Sequence, residues 1–467
     1  MFFIKEEKNM GNKAPVNKNE KLTVTIEDLT YQGMGVAKVE HYPLFIENAL
    51  PTERVKVHVL KAAKNYGFAK VIERLSTSEQ RVEVTENQYL QTGIAPLQHL
   101  NYEAQLEFKR TQIVELLSKV HLEGIKVAPT IGMTEPYHYR NKAQVPVRAV
   151  NGKLETGFFK KNSHTFVPLE DFLIQDKRID EVIKEVRDIL REFNIEAYDE
   201  RKHNGVIRHI MVRRGYYTHE VMVVLVTRSK RLPMQEQIVE AIQAKCPDVC
   251  SIIQNVNQAS TNVILGKQDK LLAGKEQIKD QLNGITFNIS AHSFYQVNPL
   301  QTEKLYKAVV EGANLTGKET VIDAYCGIGT ISLTLAAKAA KVYGVEIVPE
   351  AVIDAKLNAA ANEIENVQFE TGSAEEWMQK WEEQEIKPNV IVVDPPRKGL
   401  AESLIESAVK MGPDKIVYVS CNPATLVRDL QLFLEKGFKV AQPIQPVDQF
   451  PQTVHVESVT VLERAEK

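Results

Sequence analysis

Cysteine is scarce in this chain, which has only four in 467 residues. So few thiols in so long a chain do not form the disulfide framework of a secreted protein. Long apolar runs are also missing, and no stretch reaches the roughly 20 apolar residues that a helix needs to cross a bilayer. The first residues, Met1–Glu7, are too few and too charged for a secretory signal. These absences predict a reduced, cytoplasmic protein that does not contact a membrane.

A large net charge is missing as well, since the whole chain carries −3. The charge is unevenly distributed, however. Residues 1–75 carry +3 and residues 137–231 carry +6, whereas residues 317–467 carry −8. Two basic segments joined to an acidic one are typical of a chain with a polyanion partner such as RNA. Solvated strand and helix faces would give the same distribution.

Three segments with different patterns follow a polar tail over residues 1–16. Residues 17–76 alternate apolar and polar side chains between glycine turns, which predicts a small β-barrel. Residues 77–290 mix helical and strand patterns and form a predicted α+β middle domain. Residues 291–467 alternate strands with helices, most clearly after Thr320, and this is typical of a doubly wound α/β domain.

Apolar residues recur at helical spacing in two places. One face of a predicted helix over residues 101–122 carries Leu106, Ile113, Leu116 and Leu117. An alanine-rich stretch predicts another helix over residues 331–340. Short buried strands of the α/β domain are predicted over residues 321–322, 342–345, 390–393 and 416–419.

Basic side chains recur along two predicted strands of the middle domain, residues 139–147 and 207–215. Basic residues spaced along strands can follow RNA phosphates, which position the RNA without reading its sequence. An ordinary exposed strand face is the alternative for each of them. The candidate RNA-contacting residues in these strands are Arg140, Lys142, Arg208, Arg213 and Arg214.

Four polar residues lie at the carboxyl ends of predicted strands in the α/β domain, where such sheets bind ligands. A glycine turn containing Gly327 and Gly329 follows the first of these strands and lets the backbone approach a ligand closely. The turn lacks the third glycine of a dinucleotide site, so it favours S-adenosylmethionine over NAD. An acid at the end of the next strand can hold ribose hydroxyls. The four strand-end residues are Asp323, Glu346, Asp394 and Cys421.

Cys421, which is followed by Asn422-Pro423, is the candidate nucleophile. Carbon-5 of uracil becomes reactive towards a methyl donor only after a thiolate has added to carbon-6. A base must then remove the proton from carbon-5. Glu457 is the predicted base, and His455 is the alternative. The remaining cysteines are interpreted as structural: Cys246, Cys250 and Cys326.

Several motifs resemble those of bacterial RNA (uracil-5-)-methyltransferases of the type that modifies 23S ribosomal RNA. The resemblance spans nearly the whole chain from about residue 20. Its N-terminal part, around Asp28 to Lys38, resembles the TRAM domain, an RNA-binding barrel of the OB type. It implies a Rossmann-like methyltransferase domain that uses S-adenosylmethionine, with Cys421 as nucleophile and Glu457 as proton acceptor. The most specific motifs are Phe294-Tyr295-Gln296-Val297-Asn298, Asp394-Pro395-Pro396-Arg397-Lys398-Gly399, Ser420-Cys421-Asn422-Pro423 and His455-Val456-Glu457.

The resemblance also implies contacts to S-adenosylmethionine. Thr330 and Ser373 stand where the family often has asparagine and aspartate, so this chain departs from the family pattern there. Arg397 lies just beyond a strand end and is a candidate RNA contact, with an exposed loop charge as the alternative. The complete set of predicted cofactor-binding residues is Gln296, Asp323, Tyr325, Gly327, Gly329, Thr330, Glu346 and Asp394.

Many relatives hold a [4Fe–4S] cluster in the middle domain through four cysteines, and this chain lacks them. Glu86, Thr92, Ala95 and Phe172 stand at those positions. Because such a cluster is held by thiolates, we expect an enzyme with no iron–sulfur cluster and no other metal. Ordinary packing should hold its middle domain together.

Three other functions remain open. A tRNA uridine-5-methyltransferase is the nearest, although the tRNA enzymes of the family generally lack an N-terminal barrel. An amino-methylating enzyme would not need Cys421 and commonly has Asn-Pro-Pro-aromatic where this chain has Asp394-Pro395-Pro396-Arg397. A non-catalytic ribosome-assembly protein would need neither Cys421 nor Glu457. We therefore predict a monomer that methylates carbon-5 of a uridine in 23S rRNA, after extruding that uridine from its helix or loop.

Overall fold

The computed structural model describes residues 14–84 and 86–465. Most of the predicted tail, residues 1–13, lies outside the described residues. The described chain forms two compact units, and the first ends at Gln105 apart from a short return at Gln452–Val454. The second unit comprises Leu106–Pro451 and the segment from His455 onward.

The first unit contains a six-stranded sheet in the order β1-β5-β6-β4-β3-β2, in which only β4 and β6 are parallel. Ile26 follows β1 and donates its N–H to the Glu53 carbonyl at 2.9 Å, while Glu27 donates to the Val36 carbonyl at 2.8 Å. One continuous segment therefore borders both edges, and the sheet closes on itself. Its strands are β1 (Lys21–Thr25), β2 (Asp28–Leu29), β3 (Gly35–Val39), β4 (Tyr42–Glu47), β5 (Arg54–Ala62) and β6 (Gly67–Arg74).

Two helices follow the closed sheet, α1 (Gln88–Thr92) and α2 (Tyr102–Lys119). The second lies within the helix predicted over residues 101–122. It carries Ile113 and Leu117 into the core beneath one face of the C-terminal sheet.

The middle part of the second unit is a seven-stranded sheet in the order β13-β12-β11-β10-β7-β8-β9. Asp176 caps the first helix on this sheet, because its carboxylate accepts the N–H groups of Arg178 and Ile179. The strands are β7 (Lys142–Val150), β8 (Lys153–Phe159), β9 (Phe166–Pro168), β10 (Ile207–Arg214), β11 (Val221–Thr227), β12 (Val249–Val256) and β13 (Gln268–Gly274). The helices are α3 (Lys177–Glu192) and α4 (Gln235–Lys245), and a hairpin of β14 (Ile278–Leu282) and β15 (Ile285–Ile289) follows.

The C-terminal part contains a larger sheet of eight strands and six helices. Its strands are β16 (Thr320–Ala324), β17 (Lys341–Glu346), β18 (Val367–Thr371), β19 (Val390–Val393), β20 (Lys415–Ser420), β21 (Phe438–Val440), β22 (Gln445–Val447) and β23 (Glu457–Arg464). Its helices are α5 (Pro299–Ala313), α6 (Thr330–Ala336), α7 (Pro349–Ala361), α8 (Ala374–Glu383), α9 (Glu402–Met411) and α10 (Pro423–Glu435). The order is β18-β17-β16-β19-β20-β23-β21, with β22 paired to β23. The first five strands are parallel and β23 is antiparallel.

Helices cover both faces of this sheet, and alternate residues of each strand therefore enter different cores. Val390 and Val392 pack with residues of α5, α6 and α7, whereas Ile391 and Val393 pack with residues of α8, α9 and α10. Strands buried on both faces are continuously apolar, which explains why these strands were visible in the sequence.

The helix predicted over residues 331–340 is shorter in the structure, since α6 ends at Ala336. Alanine favours a helix, but the Ala340 N–H donates to the Glu319 carbonyl at 2.9 Å instead of to its own helix. That bond turns the chain into β17. In the described part of the chain, no helix is both long and apolar enough to cross a membrane.

Candidate active site

Strand register brings three of the predicted residues to one edge of the C-terminal sheet. The last residue of β16 pairs with the next-to-last residue of β17 and with the last residue of β19. Tyr325, Glu346 and Asp394 are one step beyond those pairs, so they lie side by side at the carboxyl ends of parallel strands. This edge is where open α/β sheets bind ligands.

The antiparallel pairing of β20 with β23 brings the candidate nucleophile and base to the same edge. Ser420 pairs with Ser458 in this register. Cys421 follows Ser420, and Glu457, the first residue of β23, precedes Ser458. In an antiparallel pair these two neighbours lie opposite each other. His455 lies two residues before the strand and is exposed, whereas Glu457 is buried.

Cys421 and Glu457 lie in a buried acidic environment. Burial raises the pKa of the Cys421 thiol to about 12, with Glu457 and Asp394 adding to the effect and Arg397 opposing it. Burial also raises the pKa of Glu457 well above its usual range, again with Asp394 adding and Arg397 opposing. The pKa of Asp394 itself is raised to about 7 by burial. Burial therefore favours the protonated form of both reacting groups in this structure.

The loop that carries Arg397 is fastened to the helix that follows the candidate nucleophile. Asn422 caps α10 by accepting the Ala424 N–H at 3.1 Å, and its amide nitrogen donates to the Arg397 carbonyl at 2.8 Å. Further along α10, Arg428 donates to the Lys398 carbonyl at 3.1 Å. The Asn422 side chain thus fixes both the start of α10 and the backbone of Arg397.

The acid expected to hold ribose is oriented by backbone groups. Glu346 accepts the Gly327 N–H at 3.2 Å and the Val348 N–H at 2.9 Å. A Cβ atom at Gly327, where φ is +55°, would meet nothing within 4 Å, so the turn faces open space. Asp323 accepts the Ser332 hydroxyl at 2.5 Å, and its other carboxylate oxygen is buried with no hydrogen-bond partner. The oriented carboxylate of Glu346, the open space at Gly327 and the unpartnered oxygen of Asp323 together fit a site for a nucleoside cofactor.

Two further predicted cofactor residues, Thr330 and Gln296, are bonded to other segments of the second unit. Thr330 begins α6, and its hydroxyl is hydrogen-bonded to the Tyr306 hydroxyl at 2.8 Å. The backbone carbonyl of Gln296 accepts the Asn141 amide at 3.2 Å, which ties the segment before α5 to the start of β7. Ser373 instead caps α8 by accepting the Glu376 N–H at 3.2 Å.

Two of the candidate RNA-contacting arginines are buried in the middle domain. Arg213 donates to the carbonyls of Ala291 and Ser293 at 3.3 and 2.5 Å. Arg208 donates to three carbonyls between residues 257 and 261. Both guanidinium groups hold loops together and are buried. Their burial argues against the RNA contact that was predicted for Arg208 and Arg213.

The remaining basic candidates are more accessible. Lys142 is half-buried and pairs in register with Arg213. Burial, together with Arg213 and Arg140, lowers the pKa of Lys142 to about 7. Arg214 forms an ion pair with Asp176 at 2.7 Å. Arg397 is exposed, and a role in RNA contact stays a prediction for it and for Arg140 and Lys142.

A buried polar framework stands before Glu457, and sequence reasoning missed it. Lys109 of α2 and Asp448 form an ion pair whose side chains are both 0% exposed. The Lys109 ammonium also donates to the Phe450 carbonyl at 3.0 Å, and Gln301 donates to the Asp448 carbonyl at 2.9 Å. The slight signal in the sequence is Asp448 itself, since it is the one Asp, Glu, Lys or Arg residue between Lys439 and Glu457.

The positions that hold cluster cysteines in relatives have other roles here. Ala95 and Phe172 are fully buried, and the Phe172 ring packs edge-on against Phe158 at 5.5 Å. Thr92 donates its hydroxyl to the Gln88 carbonyl at 2.8 Å. Among the residues that the structure describes, no group of three or more His, Cys, Asp or Glu side chains could hold a metal ion. The absence of a cluster stays a prediction.

Known proteins share both parts of this architecture. Residues 101–465 match the family described as tRNA (Uracil-5-)-methyltransferase, and residues 15–72 match the TRAM domain. A protein of Lactiplantibacillus plantarum, named an uncharacterized RNA methyltransferase, is 60% identical over 450 residues, covering 96% of this chain and 98% of its own length. An Enterococcus faecalis protein of the same name is 54% identical over 452 residues, covering 97% of this chain and 99% of its own.

A solved structure matches over nearly the whole chain. It is the crystal structure of Pyrococcus abyssi tRNA (uracil-54, C5)-methyltransferase in complex with S-adenosyl-L-homocysteine. The TM-score is 0.76 at 27% identity, with 94% of this chain and 99% of the other covered. The predicted fold class, the TRAM domain and the cofactor are confirmed. The chain belongs to the RNA (uracil-5-)-methyltransferase family and is an S-adenosylmethionine-dependent enzyme with an N-terminal TRAM domain.

Proposed function

We propose that this enzyme methylates carbon-5 of a uridine in 23S rRNA, with Cys421 as nucleophile and Glu457 as base. The observation that carries the proposal is the thiol placed beside a buried carboxyl group, at the sheet edge that also holds Asp394 and Glu346. An amino-methylating enzyme needs no such pair. We also expect the enzyme to act as a monomer.

The two side chains divide the chemistry between them. The Cys421 sulfur bonds to carbon-6 of the uracil, and the electrons of the carbon-5–carbon-6 double bond then make carbon-5 nucleophilic. S-adenosylmethionine, when bound, supplies the methyl group and leaves as S-adenosylhomocysteine. Glu457 takes the proton from carbon-5. The sulfur–carbon-6 bond breaks, the double bond re-forms, and Cys421 is released.

Cys421 reacts as a thiolate and Glu457 reacts as a carboxylate, and Arg397 favours both charged forms. It is the cation that opposes the raised pKa of Cys421 and of Glu457. Asn422 holds its backbone at 2.8 Å. We infer that Arg397 stabilises the thiolate, which is a different role from the RNA contact expected from its position in the sequence.

The choice of 23S rRNA rests on the resemblance of the motifs, and tRNA has support of its own. The Pyrococcus abyssi protein is a tRNA (uracil-54, C5)-methyltransferase, and its structure matches 94% of this chain. The part of this chain that the match leaves out is shorter than the predicted barrel over residues 17–76. The match therefore extends into the barrel. The barrel therefore does not argue against a tRNA substrate, and tRNA is the second candidate.

Trapping the covalent intermediate tests the proposal. The full chain would be incubated with S-adenosylmethionine and either 23S rRNA or tRNA that contains 5-fluorouridine, and then run on a denaturing gel. Fluorine cannot leave carbon-5 as a proton does, so we expect a stable adduct with 23S rRNA that is absent in Cys421→Ala. In Glu457→Gln, unsubstituted RNA should also remain attached, because the methylated adduct cannot lose its proton.

The outcomes separate substrate from mechanism. An adduct with tRNA alone would replace the substrate and leave the role of Cys421 intact. No adduct with either RNA, in protein that still binds the cofactor, would overturn the mechanism.

A further inference from the structure

Three aromatic rings contact one another on the closed sheet of the first unit. The ring centroids of Phe45, Tyr66 and Phe68 are 5.7 to 5.9 Å apart. Phe45 and Phe68 pair in register between β4 and β6. Tyr66, in the turn before β6, is 41% exposed, and the two phenylalanines are half-buried.

The core of the barrel does not account for these rings. Successive side chains of a strand face opposite sides. Leu44, Ile46 and Ala69 belong to the core, so their neighbours Phe45 and Phe68 point away from it. Single exposed aromatic residues are common on protein surfaces. Three in mutual contact on an outer face that is usually polar are a feature of a binding surface.

Lysines surround the rings. Lys61 pairs in register with Phe68, Lys64 lies in the turn before Tyr66, and Lys70 is two residues beyond Phe68 on the same face of β6. All three are exposed, and none of them forms a salt bridge with another residue in the described part of the chain. Glu47 lies beside Lys70 in the register. The charge around the rings is therefore mainly positive.

We propose that these six residues, here called the aromatic–lysine patch, bind unpaired bases of a single-stranded segment of the substrate RNA. An aromatic ring can stack on any base, and a nearby lysine can contact the phosphate that links two bases. The proposal rests on the proposed RNA methylation and extends it, because it gives the barrel a ligand of its own in addition to the reacting uridine.

The chemistry of the patch favours RNA over a protein partner. Lysine is depleted in the cores of protein–protein interfaces, whereas alternating rings and cations are what proteins use to bind single strands. Bases of a duplex are stacked on each other and cannot reach the rings. The ligand is therefore a single strand.

Oligonucleotide binding to the full chain tests the patch. A fluorescein-labelled uridine 12-mer and an RNA duplex of the same length would be titrated by anisotropy at several salt concentrations. We expect Tyr66→Ala and Phe68→Leu each to weaken binding of the 12-mer at least about fivefold, with little change in the salt dependence. Lys61→Ala combined with Lys64→Ala should lower the salt slope by about 1.4, because each phosphate contact to a single strand contributes about 0.7. Binding of the duplex should change little in the ring variants.

The matched control is Tyr31→Ala, since Tyr31 is 71% exposed in the same unit and lies outside the patch. It should bind the 12-mer as the unchanged chain does, and thermal unfolding would verify that every variant is folded. Unchanged binding of the 12-mer in both ring variants would overturn the proposal. An equal loss for the 12-mer and the duplex would also overturn it.

A separate measurement distinguishes failure of the patch from failure of the proposed function. At saturating concentrations of a short 5-fluorouridine RNA, the ring variants should still form the Cys421 adduct. If the unchanged chain forms no adduct but binds the 12-mer through the patch, then the proposed chemistry fails and the binding site stands.

Discussion

Cys421 stands in surroundings that oppose the ionisation its chemistry requires. Burial and two acidic neighbours, Glu457 and Asp394, hold its pKa at about 12, and Arg397 alone among the named charges opposes them. Asp394, just beyond β19, raises the pKa of the thiol, and Arg397, three residues later, lowers it. The reactivity of the thiol therefore depends on both charges. A substitution at Asp394 or at Arg397 can therefore shift the pKa of the thiol while Cys421 itself stays unchanged.

The rate at which Cys421 is alkylated should change when either of these two charges is removed. At pH 8.5, Asp394→Asn should speed its reaction with iodoacetamide severalfold, because loss of a negative charge lowers the pKa of the thiol and increases the thiolate fraction. Arg397→Gln should slow it by a similar factor, because loss of the cation raises that pKa. Quantitative peptide mass spectrometry would measure the rate.

Cys246, which is fully buried, provides the internal control in every sample. Its labelling should be the same in all three proteins. Equal rates at Cys421 in all three would show that these charges do not govern the thiol.

At the scale of elements, the segment that leads to Glu457 depends on a buried charge from a distant helix. Lys109 of α2 and Asp448 are both fully buried, and burial lowers the pKa of Lys109 while Asp448 opposes that shift. A buried charge that loses its partner is costly, because nothing else compensates it. The pair thus holds α2 and the start of the segment before β23 in place together.

Removal of one partner should destabilise the second unit strongly. Lys109→Met leaves the Asp448 carboxylate buried without its cation, so we expect a loss of about 3–5 kcal/mol in the free energy of unfolding. The double variant Lys109→Met, Asp448→Leu should recover much of that loss. Urea unfolding followed by tryptophan fluorescence reports on this unit, because both tryptophans, Trp377 and Trp381, lie in α8.

Lys119→Met provides the matched control, since Lys119 is exposed at the end of the same helix. It should change the free energy of unfolding little. A double variant as unstable as Lys109→Met would show that the two charges are not energetically coupled.

At the scale of the whole molecule, several buried carboxyl groups oppose stability at higher pH. Burial raises the pKa of Asp180 to about 8 and the pKa values of Asp323 and Asp394 to about 7. Between the ordinary carboxyl pKa and these values, the folded chain binds more protons than the unfolded chain. The contribution of these groups to stability therefore falls as pH rises through that window.

Asp180→Asn isolates this effect away from the candidate active site. Asp180 is buried on α3, and its carboxylate accepts the Phe172 N–H at 3.2 Å, which an amide oxygen can also do. The substitution should stabilise the chain, and the gain should grow by roughly 4 kcal/mol between pH 5 and pH 8.5. Thermal or urea unfolding at both pH values would measure it, with Glu115→Gln, on the exposed face of α2, as the control.

A gain that is the same at both pH values would show that Asp180 does not titrate in this window. A destabilisation at pH 8.5 would show that its carboxylate is needed in ionised form, for example to hold the Phe172 backbone.

Local patterns were enough to predict the alternation of strands and helices, the closed N-terminal sheet and the residues at the strand ends. Period-two and helical spacing depend on neighbours in the chain, and parallel strands place their carboxyl ends at one edge whatever the side chains are. Asp394 and Cys421 could therefore be assigned to one rim before any contact was known. The boundaries of the predicted domains, which depend on packing between segments, stay predictions.

Only the tertiary structure decided which polar side chains are buried and what they hold. Arg213 and Lys142 lie on neighbouring strands, and the sequence predicted the same RNA-contacting role for both. Arg213, however, donates to two loop carbonyls inside the protein. Lys109 reaches Asp448 across 339 positions of the chain. Burial and pairing of this kind come from segments far apart in sequence, so no local pattern records them, and the field around Cys421 follows from the same long-range packing.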